Sequence, residues 1–208
     1  MSRVLPILFN PEMVRAILDD RKTTTRRVIK KTQCNGLVKI TPREWIEDKE
    51  YLEEPWCSMT DKELINSVYN PPYRIGDILY VRETWCNANK ESVEPDYYYY
   101  ADTFLYEDYD RSEWKWRPSI HMPKDAARIW LRVTDVRVER LQDISGEELM
   151  KEGVDRSLLF DGCVKVAFDK FKQIWNSTIK KRDIEQYGWD ATPWVWVIEF
   201  ERCEKPEE

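Results

Sequence analysis

Ile17-Leu18-Asp19-Asp20-Arg21-Lys22-Thr23-Thr24-Thr25-Arg26-Arg27 sets two adjacent basic pairs around three consecutive threonines, directly after a short apolar helix pattern. Three β-branched residues in a row disfavour helix and favour an extended chain. Alternation along that strand puts Thr23, Thr25 and Arg27 on one face and Thr24, Arg26 and Val28 on the other. Cations and hydroxyls crowded at a helix-to-strand turn suit a phosphate, a carboxylate or the polar edge of a nucleobase.

Upstream, Leu5–Phe9 reads as a short buried strand. Asn10-Pro11-Glu12 supplies an N-cap, a proline at the first helical position and an early acid. Met13, Val14, Ile17 and Leu18 then form one apolar stripe. The pattern predicts a helix over 11–20 that presents the Lys/Thr/Arg run at its C-terminal end.

Downstream, 31–72 is polar, mixed and weakly periodic, and it ends in Asn70-Pro71-Pro72, a strong breaker. It reads as an insertion with one short helix near 61–68. Ile78–Trp85 reads as a strand. A second insertion, 87–113, is acidic and tyrosine-rich, with Tyr97–Tyr100 as a strand of a hairpin arm. Arg128–Leu141 alternates in two phases, Ile129, Leu131 and Val133 against Val136 and Val138. The slip at Thr134-Asp135 implies a bulge or sharp bend, of the kind a small closed barrel needs. Ser145-x-x-Glu148 is a capping box, flanked by Ile144 and Leu149 as a hydrophobic staple and closed by Gly153, so a helix is expected over 145–153. A further amphipathic helix over 164–179 carries Phe168, Phe171, Ile174 and Trp175 on one face.

Composition narrows the classes. The chain has 208 residues, enough for one sizeable core with insertions. Ten Trp and eleven Tyr exclude a disordered chain and leave room for stacking surfaces. A net charge of −6 argues against a nonspecific duplex binder, yet Arg21, Lys22, Arg26, Arg27, Lys30 and Lys31 concentrate positive charge in one stretch. That combination favours a nucleoside or a short single strand over a long duplex. Five scattered Cys and one His, His121, do not compose a zinc site, so neither metal nor other cofactor is expected. No signal-peptide pattern and no apolar run of spanning length are read, so the expected location is a reducing cytoplasm with no membrane partner.

The order helix, basic-Lys-Thr-x-Thr-x-Arg, strand resembles the opening motif of ASCH domains, members of the PUA-like superfamily. Gly76-Asp77-Ile78-Leu79-Tyr80-Val81 resembles the Gly-Asp turn leading into a core strand of that fold. Asp143-Ile144-Ser145 through Glu152-Gly153-Val154 resembles the family's helix ending in Glu, and Trp194–Phe200 its closing strand. The runs Trp116–Pro123 and Trp189–Trp194 look most like the longer ASCH proteins of bacteriophages and prophages. One departure stands out: the family usually has Gly before the Arg-Lys pair, and here the residue is Asp20. The resemblance implies an α+β fold: one PUA-like domain, a small mixed β-barrel with flanking helices, interrupted by the insertions at 31–72 and 87–113.

Three residues stand out as candidates for chemistry. A Lys at a helix C-terminus, such as Lys22, ordinarily complements the helix dipole; desolvated at a pocket floor it has a lowered pKa and accepts a proton. Thr25 fits a strand by propensity alone and becomes a nucleophile only with a base in reach. Lys22 meets that requirement only if it lies in the turn before the strand. Glu152 sits near a helix C-terminus, against the dipole. In the resembling family, amidohydrolases use a Lys, a Thr and a Glu that match Lys22, Thr25 and Glu152, and hydrolyse N4-acetylcytidine to cytidine and acetate. The resemblance thus implies attack by Thr25, proton acceptance by Lys22 and handling of the leaving amine by Glu152. Arg27, Arg82, Glu83, Trp85 and Trp116 are secondary candidates for binding substrate. Each also has an ordinary structural use, at a strand end or in a core. Two rival functions are a noncatalytic module that binds RNA or nucleotide, and a ribonuclease acting on single-stranded RNA.

Overall fold

The computed structural model describes residues 2–30, 60–87, 97–105, 114–155, 157–160 and 164–207. Cys34, Cys57, Cys163 and most of the first expected insertion, 31–72, lie outside them. The described chain is a mixed α+β structure. Strands β1 (Val4–Leu8), β2 (Thr24–Val28), β3 (Ile78–Arg82), β6 (Trp130–Arg140) and β7 (Trp194–Cys203) form one sheet in the order β1-β3-β6-β7-β2. The β1–β3 pair is parallel and the other pairs are antiparallel. Strands β4 (Trp85–Asn87) and β5 (Tyr97–Tyr99) form a separate antiparallel arm, as the tyrosine run predicted.

Local signals place the helices. Helix α1 (Pro11–Leu18) starts where Asn10 Oδ1 accepts from Met13 N at 2.8 Å. Helix α2 (Asp61–Val68) lies in the first insertion and carries a capping box from Thr60 and Glu63. Helix α3 (Gly146–Lys151) has its predicted capping box, with Glu152 at the C-cap. Two single-turn helices, α4 (Ser157–Phe160) and α6 (Ile184–Tyr187), flank the long α5 (Val164–Thr178).

The sheet is covered on both faces, which explains why Trp194–Ile198 are all buried. Trp194, Trp196 and Ile198 join the core with α1, β1 and β3, while Val195 and Val197 pack on Leu149, Phe171 and Trp175. The phase slip in β6 is a register shift between Val133 and Asp135. One extra residue there turns Leu131 and Val133 before it, and Val136 and Val138 after it, to the same core.

The expected barrel is not closed. Among the described residues the ladder ends at β1 on one side and β2 on the other. Side chains, not backbone pairs, fill the seam: Arg27 Nη2 donates to Leu8 O at 3.0 Å, and its guanidinium lies over the Phe9 ring at 5.4 Å. The register shift in β6 does not bring β1 and β2 into a backbone ladder.

Candidate functional site

The turn after α1 delivers Lys22. Arg21 N and Lys22 N both donate to Ala16 O, at 2.8 and 2.9 Å, so the chain doubles back over the helix end. Asp20 makes this possible with φ of +56°, the left-handed conformation a glycine would take. Lys22 precedes β2, and its backbone forms an isolated bridge with Glu152.

Lys22 and Glu152 meet as a buried ion pair. Lys22 Nζ donates to Glu152 Oε2 at 2.6 Å, to Thr24 O at 2.7 Å and to Glu152 O at 3.0 Å. Their side chains are 0% and 4% exposed. Burial lowers the Lys22 pKa from its ordinary value, against the pull of Glu152. Glu152 Oε1 accepts from Arg26 Nη1 at 3.1 Å, so two cations pin one carboxylate.

Arg26 extends the cluster. Its Nη2 lies 3.2 Å from Glu139 Oε2 and 3.3 Å from Glu148 Oε1. Arg137 bridges Glu139, Glu148, Asp135 and Glu199 in turn. Sequence reasoning missed Arg26 as a site residue, because its parity sets it opposite Thr25. Two signals were available. Glu148 and Glu152 are four apart, so they share a helix face. Arg137 and Glu139 are charges on the phase of β6 opposite Val136 and Val138.

Thr25 is 1% exposed and pairs across the ladder with Ile198. It shares the β2 face of Arg27, toward the Phe9 side of the sheet. Lys22 Nζ also reaches that side, 5.8 Å from the Phe9 ring centre. The structure therefore joins Lys22 to Glu152 directly and sets Thr25 on the adjoining strand. Three surface cavities of about 380, 400 and 360 Å³ flank this region. Glu152 lines the second of them, while Lys22 and Thr25 line none of the three.

The secondary candidates have structural partners. Arg82 Nε donates to Met122 O at 2.7 Å. Glu83 takes a bidentate pair from Arg128, at 2.9 and 3.0 Å, and Arg128 also holds Asp102. Burial raises the Glu83 pKa, opposed by Arg128. Trp85 packs edge-on to Tyr97 at 5.6 Å with Arg117 over its ring, and Trp116 meets Tyr100 at 5.1 Å. Trp85 belongs to a core cluster with Met122 and Trp130, separate from the one around Phe9.

Comparison of the chain with family models, curated proteins and solved structures finds no match. Among the described residues, no group of three or more His, Cys, Asp or Glu is placed to hold a metal ion. No helix among them is long and apolar enough to cross a membrane.

Proposed function

We propose that this chain is a PUA-like hydrolase of N4-acylated cytosine nucleosides, with Thr25 as nucleophile, Lys22 as base and Glu152 as partner to the leaving amine. The observation that carries the reading is the buried contact of Lys22 Nζ with Glu152 Oε2 at 2.6 Å, beside the strand that bears Thr25. The resemblance of the Lys/Thr/Arg motif to ASCH enzymes supplies the substrate class.

The pair is suited to proton transfer. Moving one proton from Lys22 to Glu152 turns two buried ions into a neutral amine and a neutral acid, at no change in net charge. Burial of Lys22 favours its neutral amine. The amine then takes the Thr25 hydroxyl proton as Oγ1 attacks the acyl carbon. The tetrahedral adduct collapses by breaking the C–N bond. The departing exocyclic nitrogen takes the Glu152 proton, leaving an acyl ester on Thr25. Water cleaves that ester, and acetate and free threonine result. Because Thr25 is buried, substrate entry must displace the groups that cover it.

The rival is purely structural: an ammonium with three acceptors is a satisfied strut tying β2 to α3. The deciding experiment is incubation with N4-acetylcytidine and a chelator, followed by chromatography. Release of cytidine and acetate in equal amounts is expected. No release at enzyme concentrations equal to substrate overturns the hydrolase reading.

A further inference from the structure

Arg26 has a side chain only 1% exposed, and its guanidinium holds three carboxylates. Nη1 donates to Glu152 Oε1 at 3.1 Å, while Nη2 lies 3.2 Å from Glu139 Oε2 and 3.3 Å from Glu148 Oε1. The two ends of one planar group thus face different acids, Glu152 at the C-cap of α3 and Glu139 on β6 with Glu148 on α3. Arg137 holds Glu139 and Glu148 from the far side, at 2.6 and 2.9 Å. A buried cation needs counter-charge, and Glu139 and Glu148 supply it. The bond from Nη1 to Glu152 calls for a separate reason.

That bond fixes one oxygen of the acid. Lys22 Nζ takes Oε2 at 2.6 Å and Arg26 Nη1 takes Oε1, so the carboxylate cannot turn about its last bond without losing a partner. A carboxylate held by Lys22 alone would offer either of two like oxygens and swing between them. Held from both sides, it presents a single oxygen to the amine. We infer that Arg26 is the positioning residue of the Lys22–Glu152 pair, committing Oε2 to the proton exchange with Lys22 and keeping Oε1 out of it. The consequence for turnover rests on the hydrolase reading; the hold on the pair does not.

The charge of Arg26 acts on the same pair. Burial lowers the Lys22 pKa, Glu152 opposes this, and Arg27 and Arg26 add to the lowering. The other charges around the pair stay in place when Arg26 is replaced. Arg137 and Glu139 on β6, Glu148 on α3 and Glu199 on β7 belong to the Arg137 cluster. Glu12, Arg15, Arg21, Asp155 and Lys170 share a cavity wall with Glu152 and are cations and acids in near balance. Without Arg26 the pair holds its proton more tightly, so the proton is lost at higher pH. Lysine at this position keeps the charge but not the fork. One ammonium cannot stand at both Nη1 and Nη2, and the two acids on the Nη2 side draw it away from Glu152.

Arg26→Lys and Arg26→Met therefore separate aim from charge. The measurements are kcat and KM for N4-acetylcytidine across pH, and titration of the Lys22 side chain by NMR with isotope-labelled lysine, its signal assigned by loss in Lys22→Met. Circular dichroism and urea unfolding establish that each variant is folded. Arg26→Lys is expected to lower kcat at least about tenfold with KM within about twofold of the parent, because so buried a group does not touch substrate. Arg26→Met is expected to raise the Lys22 midpoint, and the alkaline limb of kcat with it, by at least about half a pH unit, and Arg26→Lys by less. Parental kcat in folded Arg26→Lys overturns the inference, as does a loss carried wholly by KM. A parent that releases no cytidine ends the hydrolase reading alone, and the Lys22 titration then decides. A raised midpoint in Arg26→Met upholds the hold on the pair, and an unmoved midpoint overturns it with or without turnover. If Arg26→Met does not fold, the same two outcomes are read in Arg26→Lys.

Discussion

Lys22 Nζ and Glu152 Oε2 lie 2.6 Å apart although 130 residues separate them, and both side chains are buried. Glu152 is the shared member, since it also holds Arg26. The two halves of the pair are therefore not equivalent to mutation. Glu152→Gln leaves the buried Lys22 without a counter-ion, while Arg26 keeps Glu139 and Glu148, and is expected to cost on the order of 3 kcal/mol. Lys22→Met leaves Glu152 paired with Arg26 and is expected to cost less, about 1–2 kcal/mol. Urea unfolding of both variants checks the order. A larger loss for Lys22→Met would show that Arg26 does not hold Glu152 in solution.

Thr25 separates chemistry from stability. Thr25→Val keeps the branched shape and the strand preference but removes the hydroxyl. Its effect on folding is expected to be about 1 kcal/mol, while N4-acetylcytidine turnover falls at least about a thousandfold. Thr25→Ser retains measurable turnover. A folded Thr25→Val protein with parental kcat would remove Thr25 as nucleophile and point to water activated by Lys22.

Gly153 carries the close approach that brings Glu152 to the turn. Its φ is +92°, and a Cβ there would fall 2.7 Å from Ala16 Cβ and 3.2 Å from Lys22 Cβ. Gly153→Ala is expected to cost on the order of 3 kcal/mol, from strain and overlap together. Gly76 is the control: its φ is +86°, but nothing lies within 4 Å of a Cβ there. Gly76→Ala should show strain alone, about 1 kcal/mol. Similar losses in Tm for the two would mean that α1 and α3 are not tightly opposed at Gly153.

Acid should unfold the protein partly through Asp77. Burial alone would raise its pKa, but hydrogen bonds from Arg3 and from Arg74 N outweigh that and hold it below the usual carboxylate range. A depressed folded pKa stabilises fully above the unfolded value, about 3.9, and the contribution is lost as pH falls through the folded value. Glu148 is shifted in the same direction; burial opposes the shift, and Ser145 N and Arg26 lower it. Glu83 has the opposite sign, because burial raises its pKa and protonation relieves that cost. Stability should therefore decline below about pH 4, with a shallower decline in Asp77→Asn. An identical acid limb in that variant would exclude Asp77 as a contributor.

Much of the fold follows from signals a few residues long. Asn10-Pro11, Thr60 with Glu63 and Ser145 with Glu148 mark helix starts because capping bonds span only three residues. The apolar run from Ile78 marks a strand, and the break at Thr134-Asp135 in the alternating stretch 128–141 marks the register shift, because side-chain parity is a local property of extended chain. The same locality placed Lys22 in a turn ahead of β2. Capping and parity do not say which distant groups meet. Arg26 reaches Glu139, Glu148 and Glu152 only because α3 docks at the β2 edge, through Leu149 and Val197 in one apolar cluster and the bare Gly153 against Ala16. The open seam between β1 and β2 likewise depends on where Phe9 and Arg27 arrive in space. Local chain chemistry thus determined the elements and the turn that carries Lys22. Long-range apolar packing decided which acid that lysine would meet and that the sheet would stay open.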